Sequence, residues 1–523
     1  MRSILALSSI PLLIVATVAH ANNNQHVLSQ ETTPITKSIA IIGGGASGTS
    51  TAFWLSNVFP EKGPVRVSTT LFERNSYLGG RSTTVPIKDD AGLFGSLELG
   101  ASIFVEANKN LMKATDVFGL KRTTLTAQEE TMRAKTNRPG LGVWNGKEFL
   151  FEETGSYWDS MKALWRYGFS PIKFQKKQKQ VVERFMEFYG ASNHGFEHVS
   201  DIVEKLDYQT LLNMTASDYL KELGIQDRFS QEILQSATRG NYCQDLNALH
   251  ALAVMVSMEA GHGTWAVEEG NFRIFEEFAY RSKADIRLNT KVTAVHNITE
   301  LDEQGQAIQR FMVEAEDGST QVFDDVVMAA PLKFSGIEFS CPTKHQHRDY
   351  HVVHVTLVAG HPNPAYFGRT LDTMPTFVVT TGEPLVDQFE NGQAPFNTFS
   401  VHRFLENGES VIKIFSPQQA TDEFLDTLFL NKSWTYRKGW HAFPKLYPVD
   451  VFPSFILKAD ESEDSGIIYA GAFENFISAS ILYKSRKTME TQTIAGKNAA
   501  RLLYEKWCLN KPCQPFGDGW GSY

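Results

Sequence analysis

A buried strand, a glycine turn and a helix are predicted by the stretch SIAIIGGGASGTSTAFWL. Four consecutive apolar residues, 39–42, form a run typical of a buried strand. Gly43, Gly45 and Gly48 follow in the spacing G-x-G-x-x-G, and residues 46–55 have the apolar spacing of a helix that faces a sheet. A helix that begins at such a turn presents unpaired N–H groups and a partial positive charge. The pattern therefore predicts a pyrophosphate site, although a lone motif of this kind also occurs in turns without a ligand.

A second predicted strand, residues 66–73, ends in an acidic side chain. Glu73 stands 25 positions beyond Gly48, where a spacing of about 20 is expected after the fingerprint. A carboxylate at this point is suited to accept hydrogen bonds from the hydroxyls of an adenosine ribose. Gly80 and Arg81 follow within ERNSYLGGRSTT. They add a second close approach of backbone to ligand and a cation near the diphosphate.

Together the two motifs form the two-part signature of an FAD-binding domain of glutathione-reductase type, in its amine-oxidase-like branch. An NAD-only Rossmann domain has no need of the GGR segment. We therefore predict an α/β fold, with a Rossmann-like FAD-binding domain and an α+β substrate domain. Later strands in LNTKVTAV and GIIYAGAF are expected to return to the adenine and to the flavin ring. The residues predicted to bind FAD are Gly43, Gly45, Ala46, Ser47, Gly48, Glu73, Arg74, Gly80, Arg81, Val292 and Gly471.

The hydrophobic pattern changes several times along the chain, whose 523 residues are enough for two domains. Helical spacing dominates the first long segment after the nucleotide motifs, and strand-like runs dominate a later one. We predict that each domain is discontinuous. The predicted boundaries are 36–105, 265–335 and 446–506 for the FAD-binding domain, 106–264 (helical) and 336–445 (strand-rich) for the substrate domain, and 507–523 for a C-terminal tail.

Residues 1–21 have the pattern of a cleaved secretory signal peptide. An apolar run at 4–18 ends in an A-x-A cleavage pattern. An uncleaved membrane anchor is the alternative, although the run is short for a full span. We expect a location in the secretory pathway, either a lysosome or vacuole or the extracellular space. Three N-x-S/T sequons agree with this and predict glycosylation at Asn213, Asn297 and Asn431.

Net charge and cysteine content exclude several classes of function. The chain carries a net charge of −9, which argues against nucleic-acid binding because that requires a strongly basic surface. Its four cysteines are too few for a disulfide scaffold. They also show no zinc-ligand spacing, so we predict no metal site. Cys508 and Cys513 bracket a short loop and could pair in an oxidising compartment.

Four further stretches are MKALWRYGFSP, TWAVEEGN, VIKIFS and WHAFPKLYPVDVFPSFIL. With the two nucleotide motifs they resemble the prenylcysteine oxidase, or prenylcysteine lyase, family over about residues 38–506. One departure is Glu269, which stands where the family has glycine. The resemblance implies FAD-dependent oxidation of the thioether of farnesyl- or geranylgeranyl-cysteine, during the degradation of prenylated proteins. Oxygen and water are the co-substrates, and free cysteine, a prenyl aldehyde and hydrogen peroxide are the products.

The nucleotide motifs of the chain also favour oxygen as the acceptor of electrons from the reduced flavin. The chain has one nucleotide fingerprint and no second one after a later strand for a nicotinamide partner. A hydride that leaves an allylic carbon beside sulfur needs no strong base, so no catalytic residue is assigned. Other reactive side chains are interpreted as packing or surface residues: His351, His354, His361, Cys243, Glu268 and Glu269.

Two other functions remain open from the sequence. The first is an amine or polyamine oxidase-like flavoenzyme, which would need an aromatic cage and a charged anchor for an amine. The second is a catalytically silent secreted homologue that binds or carries lipid. The intact FAD signature argues against a silent protein.

Residues 157–189 mix large aromatic side chains with basic ones. Trp158, Trp165, Phe169 and Phe174 alternate with lysines and an arginine. Such a composition suits a helix that lies in a membrane interface, so we expect a peripheral membrane contact. The alternative is an ordinary amphipathic helix with its aromatic side chains in the core.

Overall fold

The structure of the protein is a computed structural model. It describes residues 34–124, 138–154, 157–190, 194–258, 264–302, 304–340, 348–382, 395–458, 466–476, 489–509 and 511–521. The predicted signal peptide lies outside these ranges. Within them, no helix is both long enough and apolar enough to cross a bilayer.

Helices and strands alternate along the described chain. The helices are α1 (Ala46–Val58), α2 (Ala91–Phe94), α3 (Lys109–Phe118), α4 (Tyr157–Tyr167), α5 (Ser170–Glu187), α6 (Val199–Lys205), α7 (Gln209–Asn213), α8 (Ala216–Glu222), α9 (Asp227–Phe229), α10 (Gln235–Tyr242), α11 (Ala251–Ser257), α12 (Phe272–Arg281), α13 (Leu332–Ser335), α14 (Asp422–Leu428) and α15 (Met489–Cys508). The strands are β1 (Ile35–Ile42), β2 (Val65–Phe72), β3 (Thr84–Pro86), β4 (Ser96–Glu98), β5 (Phe104–Val105), β6 (Arg122–Thr124), β7 (Leu141–Trp144), β8 (Phe149–Glu152), β9 (Thr264–Val267), β10 (Asp285–Arg287), β11 (Val292–Leu301), β12 (Ala307–Ala315), β13 (Thr320–Phe323), β14 (Asp325–Met328), β15 (Glu338–Phe339), β16 (Tyr350–Pro362), β17 (Phe377–Thr380), β18 (Thr398–Phe404), β19 (Ser410–Ser416), β20 (Phe429–Pro444), β21 (Ile456–Leu457) and β22 (Ile467–Tyr469).

A six-stranded sheet of order β10-β2-β1-β14-β22-β21 carries the nucleotide motif. β1 pairs in parallel with β2 on one side and with β14 on the other. The four residues of β1 nearest the glycine turn are all buried, as expected for a parallel strand that is covered on both faces. This arrangement confirms the predicted α/β fold with a Rossmann-like nucleotide-binding domain.

Helices α1 and α15 pack closely against each other beside this sheet. A Cβ on Gly496 of α15 would lie 2.4 Å from the Ser50 Oγ of α1, so glycine permits the close approach. An aromatic cluster joins α1 to α12 and to the C-terminal segment. Its rings belong to Phe53, Trp54, Phe278 and Trp520, with neighbouring centroids 4.8–6.1 Å apart.

A seven-stranded sheet of order β20-β16-β19-β18-β17-β7-β8 forms most of the strand-rich part. Strands β7 and β8 come from the segment 106–264, where the hydrophobic spacing predicted helices. β7 reaches the sheet by pairing in parallel with β17, far along the chain. A four-residue apolar run does not by itself distinguish strand from helix, so this long-range pairing could not be predicted from local spacing.

Helices α4 to α11 make up most of the remaining segment 106–264. In α5 the buried residues Phe174, Gln178, Val181 and Phe185 recur at three- and four-residue spacing, as in an amphipathic helix. A π-helical turn, Ser230–Leu234, joins α9 to α10.

A disulfide and a hydrogen bond connect the C-terminal segment after α15 to the nucleotide-binding domain. Cys508 and Cys513 form a disulfide, the pairing that the sequence left open. Further along, the Asp518 carboxylate accepts a hydrogen bond from Lys113 Nζ of α3 at 3.0 Å.

Candidate functional site

A large cleft lies at the carboxyl ends of β1 and β2, the edge at which open α/β sheets bind ligands. Its cavity volume is about 470 Å³, which lies within the roughly 300–1,000 Å³ of pockets that hold small ligands and cofactors. Nine of the eleven residues predicted to bind FAD line it: Gly43, Gly45, Ala46, Ser47, Glu73, Arg74, Gly80, Arg81 and Val292.

The turn between β1 and α1 brings backbone rather than side chains to the cleft. Gly43 has a φ of +112°, which favours glycine. A Cβ on Gly48 would lie 1.9 Å from the Gly43 carbonyl oxygen. Gly48 thus allows the turn to pack on α1, and it does not itself line the cleft. A Cβ on Gly45 would meet nothing within 4 Å, so the N-terminal end of α1 is open to a ligand.

The GGR segment lies directly against this turn. The Gly79 N–H donates to the Gly44 carbonyl oxygen at 2.9 Å, and a Cβ on Gly80 would lie 3.3 Å from the Gly45 Cα. The two motifs are 30-odd residues apart in the sequence, and the fold brings them together at one end of the cleft.

Glu73 is buried beside the glycine turn, and three donors fix its carboxylate. The Gly44 N–H donates to Oε2 at 2.7 Å, while the N–H and the side-chain Nδ2 of Asn75 donate to Oε1 at 2.8 and 2.6 Å. An ionised carboxylate offers about four lone-pair sites, so Oε2 can still accept from a ligand. This geometry suits the predicted hydrogen bond from a ribose hydroxyl.

The backbone around β11 closes the same end of the cleft. The Thr290 N–H donates to the Glu73 carbonyl oxygen at 2.9 Å, and the Asn289 N–H donates to the Asn75 carbonyl oxygen at 3.0 Å. Thr290 and Val292 both line the cleft. The strand that was predicted to contact adenine is therefore held next to the predicted ribose acceptor.

Arg81 lies in the cleft within an ionic network. Its guanidinium pairs with the Glu474 carboxylate, and its Nη1 donates to the Ala442 carbonyl oxygen at 3.0 Å. The hydroxyl of Tyr350 donates to the other oxygen of Glu474. The sequence predicted a cation here and missed both partners, because they come from segments far along the chain. The only local signal was the acidic residue in AGAFENF.

Gly471, which was predicted to lie near a flavin ring, does not line the cleft. It sits in the 3₁₀ turn Ala470–Asn475, where a Cβ would stand 2.5 Å from the Tyr469 ring. Tight packing against that ring accounts for the glycine. Glu474 of the same turn reaches the cleft instead, and so do Met489 and Gln492 at the start of α15.

Four buried polar atoms in the cleft have no hydrogen-bond partner among the described residues. They are Ser47 Oγ, Ser82 Oγ, Trp440 Nε1 and Gln492 Nε2. An unsatisfied buried polar group costs roughly 1–3 kcal/mol, so the cleft is suited to a ligand with many polar atoms. The helix end, the Glu73 carboxylate and these four groups match the diphosphate, ribose and ring atoms of FAD.

The side chains interpreted as structural lie mainly outside the cleft lining. Cys243 is buried at the C-terminal end of α10, and Glu269 is 75% exposed. His361 Nδ1 contacts the Asn431 Oδ1 at 2.8 Å. His354 is the nearest candidate, because its ring packs on Gly439, which lines the cleft. Burial lowers the pKa of His354.

Two solved structures have a similar fold. Putrescine oxidase with putrescine bound aligns with a TM-score of 0.55 at 14% identity, over 90% of this chain and 99% of that one. Cyclohexylamine oxidase from Brevibacterium oxydans aligns with a TM-score of 0.54 at 15% identity, over 90% of this chain and 99% of that one. At this identity the likeness concerns the fold alone.

Relatives of similar sequence span nearly the whole chain. Farnesylcysteine lyase of Arabidopsis thaliana is 28% identical over 485 residues, which are 90% of this chain and 88% of that protein. Prenylcysteine oxidase 1 of Homo sapiens is 28% identical over 490 residues, 90% and 89% of the two chains. A family model for an NAD(P)-binding Rossmann-like domain matches residues 41–117, and the model for prenylcysteine lyase matches residues 150–514. The chain belongs to the prenylcysteine lyase family.

Proposed function

We propose that this protein is an FAD-dependent prenylcysteine oxidase. The reaction takes the thioether of a farnesyl- or geranylgeranyl-cysteine, one O₂ and one water. It gives free cysteine, the prenyl aldehyde and one H₂O₂. The carbon–sulfur bond breaks, the prenyl carbon is oxidised to the aldehyde, and oxygen is reduced to peroxide.

One observation carries this proposal: the family segment and the nucleotide motif build the same cleft. The prenylcysteine lyase match at 150–514 includes Trp440, Glu474 and Gln492, which line the same cleft as the glycine turn. A cofactor held at the turn therefore faces residues from the segment that defines the family.

The side chains of the cleft bind and orient the reactants. When bound, FAD supplies the two-electron acceptor for the prenyl carbon next to sulfur. The N-terminal end of α1 would hold the diphosphate, and Glu73 would hold the ribose. Gln492 Nε2 and Trp440 Nε1, which have no partner among the described residues, would donate hydrogen bonds to polar atoms of the cofactor. The Arg81–Glu474 ion pair positions the side chains of this part of the cleft. The reaction requires no strong base, because the reacting carbon is allylic.

Purified holoprotein in air with farnesylcysteine tests the proposal. Free thiol, farnesal and peroxide should appear in equal amounts, and the same should hold for geranylgeranylcysteine. Putrescine and a saturated S-alkylcysteine serve as controls, because the saturated chain lacks the allylic carbon. Peroxide formed with putrescine but not with farnesylcysteine would indicate an amine oxidase. Release of none of the three products, with FAD bound, would indicate a silent lipid-binding protein.

The proposed setting is the secretory pathway, in a lysosome or vacuole or outside the cell. The Cys508–Cys513 disulfide is typical of an oxidising compartment. The sequon residues Asn213 and Asn431 are exposed, while Asn297 lies partly buried in β11. Treatment of the secreted protein with a glycosidase should lower its apparent mass, and substitution of Asn213 or Asn431 by Gln should abolish part of that shift. An unchanged mass would contradict glycosylation at these sites.

A further inference from the structure

The turn between α4 and α5 exposes a cluster of apolar side chains. We call it the junction patch, and its residues are Met161, Leu164, Trp165, Phe169 and Ile172. Their exposed fractions are 49, 49, 90, 76 and 59%, respectively. Trp165 is almost entirely in solvent, and the five residues lie close together in the sequence, at the end of α4 and the start of α5. Such a cluster of exposed apolar side chains marks an interaction site.

Buried and hydrogen-bonded residues next to the junction patch connect this turn to the core. Tyr167 is 1% exposed, its ring lies 5.5 Å from that of Phe229, and its hydroxyl donates to Glu232 Oε2 at 2.9 Å. Arg166 forms a bidentate pair with the same carboxylate, at 2.6 and 2.8 Å. Phe174, one turn into α5, is buried in the core. Some aromatic side chains of this segment are therefore in the core and others are in solvent. The Trp158 side chain lies outside the part of the chain that the structure describes.

A basic surface surrounds the junction patch. Between residues 157 and 180 the sequence has six basic residues and one acidic residue. Arg166 is paired with Glu232, which leaves five lysines, although the whole chain carries a net charge of −9. Lys162 lies next to the apolar residues of α4. Lys173, Lys176 and Lys179 are exposed on α5, and Lys179 lies 3.8 Å from the Glu183 carboxylate one turn further on. The concentration of positive charge around exposed aromatic side chains is typical of a surface that meets anionic lipid.

We propose that the junction patch inserts into the surface of membranes that contain anionic lipid. The charges favour this partner over a second copy of the chain. An isologous dimer would bring each patch against its own equivalent, and the lysines of the two copies would repel. A lipid surface instead pairs the lysines with phosphate and carboxylate groups, while Trp165 and Phe169 reach the acyl boundary.

Co-sedimentation with vesicles tests the proposal, using holoprotein with FAD bound. The vesicles are phosphatidylcholine with or without about 30% phosphatidylserine. The apolar variant is Trp165→Ser with Phe169→Ser, and its matched control replaces two exposed leucines elsewhere, Leu93 and Leu301, by Ser; these leucines are each 72% exposed. The charge variant is Lys173→Gln with Lys176→Gln, and its control replaces the exposed Lys62 and Lys445 by Gln.

Wild-type protein and both controls should bind the anionic vesicles, and binding should weaken at high salt. The charge variant should bind about thirtyfold more weakly, because each lysine near an anionic surface contributes about 1 kcal/mol. The apolar variant should lose most of its binding, with an unchanged thermal midpoint because the substituted side chains lie in solvent. Absence of binding to any vesicle would overturn the proposal. So would binding that both variants retain, or a dimer in solution that the apolar variant abolishes.

Discussion

Replacement of Glu490 by Gln should remove a pH dependence from the stability of the protein. Glu490 is completely buried at the start of α15. Its carboxyl accepts hydrogen bonds from the N–H groups of Asn110 and Leu111 at 2.9 and 3.1 Å, and from the Tyr189 hydroxyl at 2.5 Å. Burial nevertheless raises the pKa of this carboxyl from 4.5 to about 7, because the low-dielectric interior disfavours the charge more than these donors favour it.

The size of the effect follows from proton linkage. Between pH 4.5 and about 7 the folded state keeps a proton that the unfolded state releases. The free energy of unfolding therefore falls as pH rises through this window, by about 1.4 kcal/mol per unit and about 3 kcal/mol in total. The contribution is fully present below pH 4.5 and is lost by about pH 7. Burial lowers the pKa of the neighbouring Lys497 to about 8, so that group titrates above the window.

Urea unfolding at about pH 5 and about pH 7.5, with saturating FAD, measures this difference. Between these two pH values the free energy of unfolding should fall by about 3 kcal/mol more in the wild type than in Glu490→Gln, because glutamine carries no titrating proton. The control is Glu183→Gln on the outer side of α5, where the side chain is 64% exposed. Equal losses in wild type and Glu490→Gln would refute the assignment.

Three further predictions concern the cofactor. Glu73→Gln should weaken FAD binding by about 1.5–3 kcal/mol, the value of one charged hydrogen bond, and an unchanged affinity in a flavin fluorescence titration would contradict the ribose contact. Glu474→Gln should leave Arg81 without its anionic partner and shift the flavin absorption spectrum, whereas an unchanged spectrum would show that the pair is remote from the ring. Acid precipitation should release yellow FAD into the supernatant, because Cys243 lies outside the cleft lining; colour that stays in the pellet would indicate a covalent bond.

The nucleotide end of the cleft could be predicted from the sequence because its geometry is local. Gly43, Gly45 and Gly48 act within one turn, and each position is defined by a close approach of backbone atoms. Glu73 follows at the end of the next strand. Parallel strands that pair in sequence order bring such groups to one edge of a sheet. The predicted residues and the cleft lining therefore agree best at this end.

The part of the cleft around Glu474 could not be predicted, because its contacts are long-range. Glu474 meets Arg81 only after β22 has paired with β14, and Tyr350 reaches the same carboxylate from β16. Gly471 shows the converse. A glycine after a strand suggested an approach to the ligand, whereas the structure places it against a ring of its own chain. Local spacing carries no information on which of these two constraints applies.

The start of α15 contains both a buried titrating carboxyl, Glu490, and residues that line the cleft. Met489 and Gln492 of α15 line the cleft, and Glu490 lies between them. A ligand at one hundred times its dissociation constant adds about 2.7 kcal/mol to folding stability, similar in size to the proton effect at Glu490. Deprotonation of Glu490 places an unfavourable buried charge at the helix start that carries Gln492. We therefore expect FAD to be held more tightly at about pH 5 than at about pH 7.5, with the difference absent in Glu490→Gln. An equal change in affinity in the variant would place the proton effect elsewhere in the fold.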